Sequence, residues 1–175
     1  MKKAIFLDRD GTIIEDKGYI YKKEDLTFIQ GAVKALQLLQ ERYELYVITN
    51  QAGIGQGIFS ERQYSEFNEH FIELLKRENI RINRVYHCPH TKEVRCECRK
   101  PSDFFINRIC EETAIDKKES WVIGDHPHDT EMGKNAGAKT IYLLSGHGVK
   151  HFYDPRQKPD FTTETLWEAS QFILM

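Results

Sequence analysis

The sequence predicts an α/β fold, a parallel sheet with helices on both faces. Short apolar runs alternate with segments of helical periodicity along the chain, the pattern of strands joined by helical crossovers. Several of those runs end in acids or polar residues, as strands do where open α/β sheets bind their ligands. With 175 residues, 40% of them hydrophobic and 30% charged, the chain suits one domain around a single core, spanning residues 1–175.

The first strand is Ala4-Ile5-Phe6-Leu7, which stops at Asp8-Arg9-Asp10-Gly11-Thr12. Tyr19 to Gln30 reads as an irregular excursion, and Gly31 to Leu39 as a helix with apolar residues at helical spacing. Leu45 to Thr49 is the second strand, followed by the glycine-rich loop Asn50 to Gly57. Ser60 and Gln63 form a capping box opening a helix whose one face carries Tyr64, Phe67, Phe71, Leu74 and Leu75. Val85-Tyr86-His87 is a third strand, Phe104 to Cys110 a helix, and Trp121-Val122-Ile123 a strand closed by Gly124-Asp125. A helix from about Thr130 to Asn135, a strand Thr140 to Leu144 and a C-terminal helix around Leu166 to Leu174 complete the pattern.

Composition excludes several classes of function. Twenty-five Lys and Arg against 27 Asp and Glu leave a net charge near −2, with no basic stripe for nucleic acid. Met1-Lys2-Lys3 leads into only four apolar residues, unlike a signal peptide, and no run approaches the ~18 to 20 residues that span a membrane. A cytoplasmic location is expected, without nucleic-acid or membrane partners.

The strand ends carry the chemistry. Side chains two apart in an extended chain share a face, so Asp8 and Asp10 can meet just beyond the first strand. The second strand ends in Thr49-Asn50-Gln51 and the fourth in Asp125, so three carboxylates and a hydroxyl gather along one sheet edge. Such an oxygen-rich site suits Mg²⁺, which completes its octahedron with waters and substrate phosphate. Arg99-Lys100-Pro101 supplies positive charge, Lys100 neutralising the oxygens of a transferring phosphoryl group. Asp129 is either a helix N-cap or a supporting contact to the metal site, and Thr12 either orients Asp10 or caps its own turn.

A second constellation reads Cys88-Pro89-His90, five residues, then Cys96-Glu97-Cys98. In a reducing compartment three thiolates and one imidazole make a closed tetrahedral Zn²⁺ set, structural because every position is filled. Zinc over residues 88–98 would steady the segment bearing Arg99 and Lys100. Cys110, within a helix, is a core residue, and His87 is not needed as a ligand.

Asp8-Arg9-Asp10-Gly11-Thr12, Thr49-Asn50-Gln51, Lys100 and Gly124-Asp125 with Asp129 stand in the order that marks the haloacid dehalogenase superfamily of phosphohydrolases, which the chain resembles. The resemblance implies a Rossmann-like sheet and an aspartyl-phosphate mechanism. Asp8 would be the nucleophile and Asp10 the general acid and then base. Asp8, Asp125 and the Asp10 backbone carbonyl would ligate Mg²⁺, and Thr49 and Lys100 would hold the phosphoryl oxygens.

Within the superfamily, the zinc loop and Arg-Lys-Pro resemble the group of histidinol-phosphate and heptose-bisphosphate phosphatases, over roughly residues 4 to 148. Asp16-Lys17-Gly18-Tyr19 through Gly31 and Thr49 through Phe59 are similar to the substrate loops of the heptose-1,7-bisphosphate 7-phosphatases. On that resemblance Asp16, Lys17, Gly18, Tyr19, Asn50, Gln51, Ala52 and Arg99 contact a small phosphorylated sugar, and Arg99 takes the second phosphate. The product would be a heptose 1-phosphate, used for nucleotide-activated heptose in bacterial surface glycans. Where those enzymes usually carry lysine after the last metal-binding aspartate, this chain has His126, expected to act as a partial cation that fades above roughly pH 6.5. The short zinc loop resembles the histidinol-phosphate branch, which is the alternative. A DNA 3′-phosphatase and a non-catalytic zinc-dependent binding module are further alternatives, the first opposed by the near-neutral charge. The intervals 12–49 and 49–100 leave no room for a cap domain, so an open site and a monomer are expected.

Overall fold

The computed structural model describes residues 1–152, 154 and 158–175. Its strands are β1 (Ala4–Leu7), β2 (Glu44–Asn50), β3 (Arg84–Cys88), β4 (Trp121–Gly124), β5 (Lys139–Leu143) and β6 (Phe161–Thr163). They form one parallel six-stranded sheet in the order β3-β2-β1-β4-β5-β6. The helices are α1 (Ala32–Leu39), α2 (Ala52–Gly55), α3 (Glu61–Arg77), α4 (Phe104–Thr113), α5 (Pro127–Ala136), α6 (Gly148–His151) and α7 (Leu166–Leu174), with a 3₁₀ turn at Lys23–Asp25.

Alternation along the strands builds two cores. Ile5, Leu7, Leu45, Val47, Ile123 and Ile141 face α1, α3 and α7, where Leu36, Phe67, Phe71 and Leu166 cover them. Ala4, Phe6, Tyr46, Ile48 and Val122 face α4 and α5 through Ile106, Ile109 and Met132. β1 is central, and the chain order reverses between it and β4, so the carboxyl ends of β1, β2 and β4 open onto one crevice at the switch point. Only a 3₁₀ turn and α1 separate β1 from β2, and only α2 and α3 separate β2 from β3. The described residues thus place no cap over that crevice.

Four elements differ from expectation, the first being α2, a single helical turn inside the glycine-rich loop expected over Asn50 to Gly57. α5 begins at Pro127 because His126 caps it and proline is tolerated in the first turn. The N-cap is therefore His126, and Asp129 is the third helical residue, closing a capping box onto the His126 N–H. α6 and β6 are additions. The three-residue β6 is held from outside its own sequence: Asp160 Oδ2 accepts from Thr140 N–H at 2.8 Å and from its hydroxyl at 2.9 Å. No helix among the described residues is long and apolar enough to cross a membrane.

Candidate active site

The turn after β1 sets the geometry. Asp8 is still in the ladder, its N–H donating to Ile123 C=O at 3.0 Å, and the N–H groups of Ile13 and Ile14 return to Arg9 C=O. Gly11 has φ +81°, and a Cβ there would lie 2.2 Å from Asp125 Oδ2. Glycine therefore lets the turn lie against the acid arriving from β4. Asp125 is fixed from two further sides, by His147 N–H at 2.7 Å and by Thr12 Oγ1 at 3.4 Å. Thr12 thus serves Asp125 rather than Asp10 or its own turn.

Lys100 is buried and its ammonium is saturated. It donates to Ile48 C=O at 3.0 Å, Asp8 Oδ1 at 2.9 Å and Asp129 Oδ1 at 2.7 Å. Burial works to lower its pKa, but Asp129 and Asp8 outweigh that and hold the charge. Asn50 steadies the same segment, its Oδ1 accepting from Lys100 N–H at 3.1 Å. Burial pushes the Asp8 carboxyl up to about 7 and, with Asp8 beside it, Asp125 up to about 8. Carboxylate oxygens of Asp8, Asp125 and Asp129 lie within 4.8 Å of one another, closer than buried acids tolerate without a cation.

The Asp10 carboxylate lies outside that cluster. Arg9 grips it with Nε at 2.9 Å and Nη2 at 3.1 Å, and Gln51 Nε2 donates to it at 2.7 Å and to Thr49 Oγ1 at 2.9 Å. Thr49 and Gln51 are both buried, so Gln51 couples the hydroxyl of β2 to the second acid of β1.

The thiols and imidazole of the other constellation also converge. Sγ–Sγ separations are 3.1 Å for Cys88 and Cys98, 3.7 Å for Cys88 and Cys96 and 3.9 Å for Cys96 and Cys98. His90 Nδ1 lies 3.6 Å from Cys88 Sγ and 3.4 Å from Cys98 Sγ. Ligands about 2.3 Å from a central ion would stand roughly 3.8 Å apart at the corners of a tetrahedron. The loop grips the neighbouring cation directly, since Arg99 Nη1 donates to His90 C=O at 2.9 Å.

A cavity of about 350 Å³ collects these groups, lined by Asp8, Asp10, Asp16, Gly18, Tyr19, Thr49, Asn50, Gln51, Ala52, Arg99, Lys100, Asp125, His126, His128 and His147. Lys17 alone of the expected contacts is absent from the lining. Its ammonium turns away to Thr27 Oγ1 at 2.9 Å and Asp25 C=O at 3.1 Å, acceptors a flexible exposed lysine reaches more readily than the cavity. His126 is not the expected partial cation: burial, with His128 beside it, pushes its pKa down to about 4. Its Nδ1 accepts from His128 N–H at 3.2 Å, so the neutral ring carries its proton on Nε2 as a donor.

Motif reading missed Arg9, His128 and His147. His147 Nε2 meets Asp16 Oδ2 at 2.8 Å, while Asp16 Oδ1 accepts from Gly18 N–H at 2.8 Å. A signal existed for it, because Ser145-Gly146-His147 follows β5 as Asp125 follows β4. Arg9 left no such signal, its burial depending on α3.

A switch-point crevice holding a buried aspartate against a buried lysine, with further acids from two strand ends, defines a phosphohydrolase of the haloacid dehalogenase type. The HAD-hydrolase-like family model matches residues 97–169. The D-glycero-beta-D-manno-heptose-1,7-bisphosphate 7-phosphatase of Haemophilus ducreyi is 38% identical over 98% of both chains. The corresponding D-glycero-alpha-D-manno enzyme of Campylobacter jejuni is 38% identical over 82% of this chain and 83% of its own. The D,D-heptose 1,7-bisphosphate phosphatase of B. bronchiseptica, solved with magnesium and phosphate, superposes with a TM-score of 0.89 over 98% of both chains at 24% identity. The chain belongs to the heptose-1,7-bisphosphate 7-phosphatase family of these hydrolases.

Proposed function

We propose that this chain removes the 7-phosphate of D-glycero-D-manno-heptose 1,7-bisphosphate, as a cytoplasmic monomeric single domain supplying heptose 1-phosphate for surface-glycan precursors. The observation that carries the reading is one cavity with the Asp8–Lys100 pair at its base and a second phosphate-sized cation, Arg99, in its wall.

The raised carboxyls of Asp8 and Asp125 fit a divalent ion, and we assign Asp8, Asp125 and the Asp10 backbone carbonyl as its ligands. Magnesium there would neutralise charge on the phosphoryl oxygens. Asp8 attacks phosphorus in line, the phosphorus–oxygen bond to the sugar breaks, and Asp10 protonates the departing alkoxide. Water then cleaves the aspartyl-phosphate, its proton passing to Asp10. The Thr49 hydroxyl donates to a phosphoryl oxygen, and Lys100, its three N–H bonds already engaged, acts on the phosphoryl group as a nearby point charge, which favours the charge-dispersed transition state. Zinc on Cys88, His90, Cys96 and Cys98 has a structural part, holding the loop that grips Arg99.

Arg99 spends one of its donors on His90 and has others for the distal phosphate, with the His126 Nε2–H as a neutral neighbour. Asp16, Gly18, Tyr19, Asn50 and Ala52 shape the sugar's surroundings. Histidinol phosphate fits less well. Its amine needs a free acid, and Asp16, the one lining acid away from the phosphoryl end, already serves His147 and Gly18. The test is kcat/KM for both substrates with wild type and Arg99→Ala. The bisphosphate should be preferred and should lose about 10- to 150-fold on substitution, the range of a hydrogen bond to a charged group. A histidinol-phosphate preference, or equal loss on both, overturns the assignment.

A further inference from the structure

We propose that Arg9 is the positioning residue for the general acid, and that Asp10 carries its transferable proton on Oδ1. The inference rests on the reading of Asp10 as general acid. Arg9 has no exposed surface, and burying a cation costs several kcal/mol unless it is paired. Its guanidinium lies 4.8 Å from the ring centre of Phe67 and 5.6 Å from that of Tyr64, and among the described residues Nη1 has no hydrogen-bond partner. An orphaned donor on a buried cation is a poor way to fill a core. What the arrangement does achieve is a two-point hold on Asp10, Nε to Oδ1 and Nη2 to Oδ2.

Counting lone pairs places the proton. A carboxylate offers about four acceptor positions, two on each oxygen. Oδ2 accepts from Arg9 Nη2 and from Gln51 Nε2, which fills it. Among the described residues Oδ1 accepts only from Arg9 Nε, leaving one position, on a side chain that lines the cavity. As the phosphorus–oxygen bond breaks, its electron pair goes to the sugar oxygen, which takes the proton from Oδ1 and leaves Asp10 a carboxylate. The fork on Oδ1 and Oδ2 thus fixes which oxygen faces the leaving group. In the second half-reaction the attacking water returns a proton to the same oxygen.

The test measures alcohol release in the first turnover, with magnesium, from an alkyl sugar phosphate and from 4-nitrophenyl phosphate, whose leaving group needs little protonation. Arg9→Lys keeps the charge but reaches one oxygen only. It should slow the alkyl ester at least about tenfold more than the aryl ester, within the span of general acid catalysis, with KM for each nearly unchanged. Equal slowing of both esters, or none, overturns the proposal. Asp10→Asn in the same assay separates the two levels. If it too slows both esters equally, the acid role of Asp10 fails; if it is selective and Arg9→Lys is not, only Arg9's role fails. Should Arg9→Lys not fold, Phe67→Leu loosens the packing behind the guanidinium and carries the same comparison.

Discussion

Replacing Asp129 by asparagine tests the buried charge network with almost no change of shape. In the native protein the three N–H bonds of Lys100 meet three acceptors, and Asp129 supplies the nearest at 2.7 Å. Its other oxygen accepts from His126 N–H at 3.1 Å, closing the capping box of α5. An asparagine that turns its Oδ1 to Lys100 points its amide at the His126 N–H, so donor faces donor. The ion pair becomes a hydrogen bond from the ammonium to a neutral carbonyl, worth about 1.5 kcal/mol less, and the lost cap costs about 1 kcal/mol more. A loss of about 2–3 kcal/mol corresponds to roughly 4–12 °C in Tm for a chain of this size. Lys100 is also left with Asp8 as its sole anion, which ties the nucleophile more tightly and should lower kcat about tenfold or more. Thermal unfolding and steady-state kinetics with magnesium read both effects. A Tm within about 1 °C of wild type would show that Asp129 bears little of the Lys100 charge.

Asp8→Asn should abolish turnover while leaving the fold and phosphate binding largely intact, since an amide keeps the shape and loses the nucleophile; substantial residual kcat would remove Asp8 from that role. Cys98→Ser should lower zinc content and, through Arg99, raise KM for the bisphosphate although no cysteine touches the reacting phosphate; elemental analysis beside kinetics checks it, and full activity without zinc would refute the anchoring. The buried acids predict a linkage. With carboxyls at about 7 for Asp8 and about 8 for Asp125 against 3.8 when unperturbed, the metal-free folded chain holds protons that the unfolded chain has released. Their contribution to stability is complete below about pH 3.8 and lost as pH rises through 7 to 8. Magnesium must displace those protons, so its Tm increment should be larger at about pH 8 than at about pH 6; a pH-independent increment would mean that both acids are already ionised.

Much of the fold was legible because its signals are local. β1, β2 and β4 are apolar runs closed by Asp8, Thr49-Asn50 and Gly124-Asp125, and every strand of a parallel sheet delivers its carboxyl-terminal residues to the same edge. The capping box at Ser60 and Gln63 likewise starts α3 where its residues indicate. The first turn of α5 was not read, because Pro127 looks like a break when it stands before the periodic segment and becomes a start once His126 is its cap. β6 has too little sequence of its own, being three residues of which two are exposed. In the substrate loop, Lys17 and Asp16 look alike as candidates, and only the tertiary neighbours Thr27 and His147 send one out and the other in.

The rim of the cavity poses a physical problem that its base does not. Asp8 and Asp125 directly follow strands packed into the core and the buried Lys100 ammonium is held against Asp8, whereas Asp16 to Tyr19 and Arg99 lie on segments with little apolar burial of their own. Each is instead tied by a polar contact to a neighbour from elsewhere in the chain: Asp16 to His147 at 2.8 Å, Tyr19 OH to Gln56 Oε1 at 2.7 Å, Arg99 to His90 at 2.9 Å. Exposed polar ties of this kind are individually worth about 1 kcal/mol or less, so the rim should adjust far more readily than the base. That division suits a phosphatase whose chemistry is fixed at one end of the substrate while recognition is set at the other.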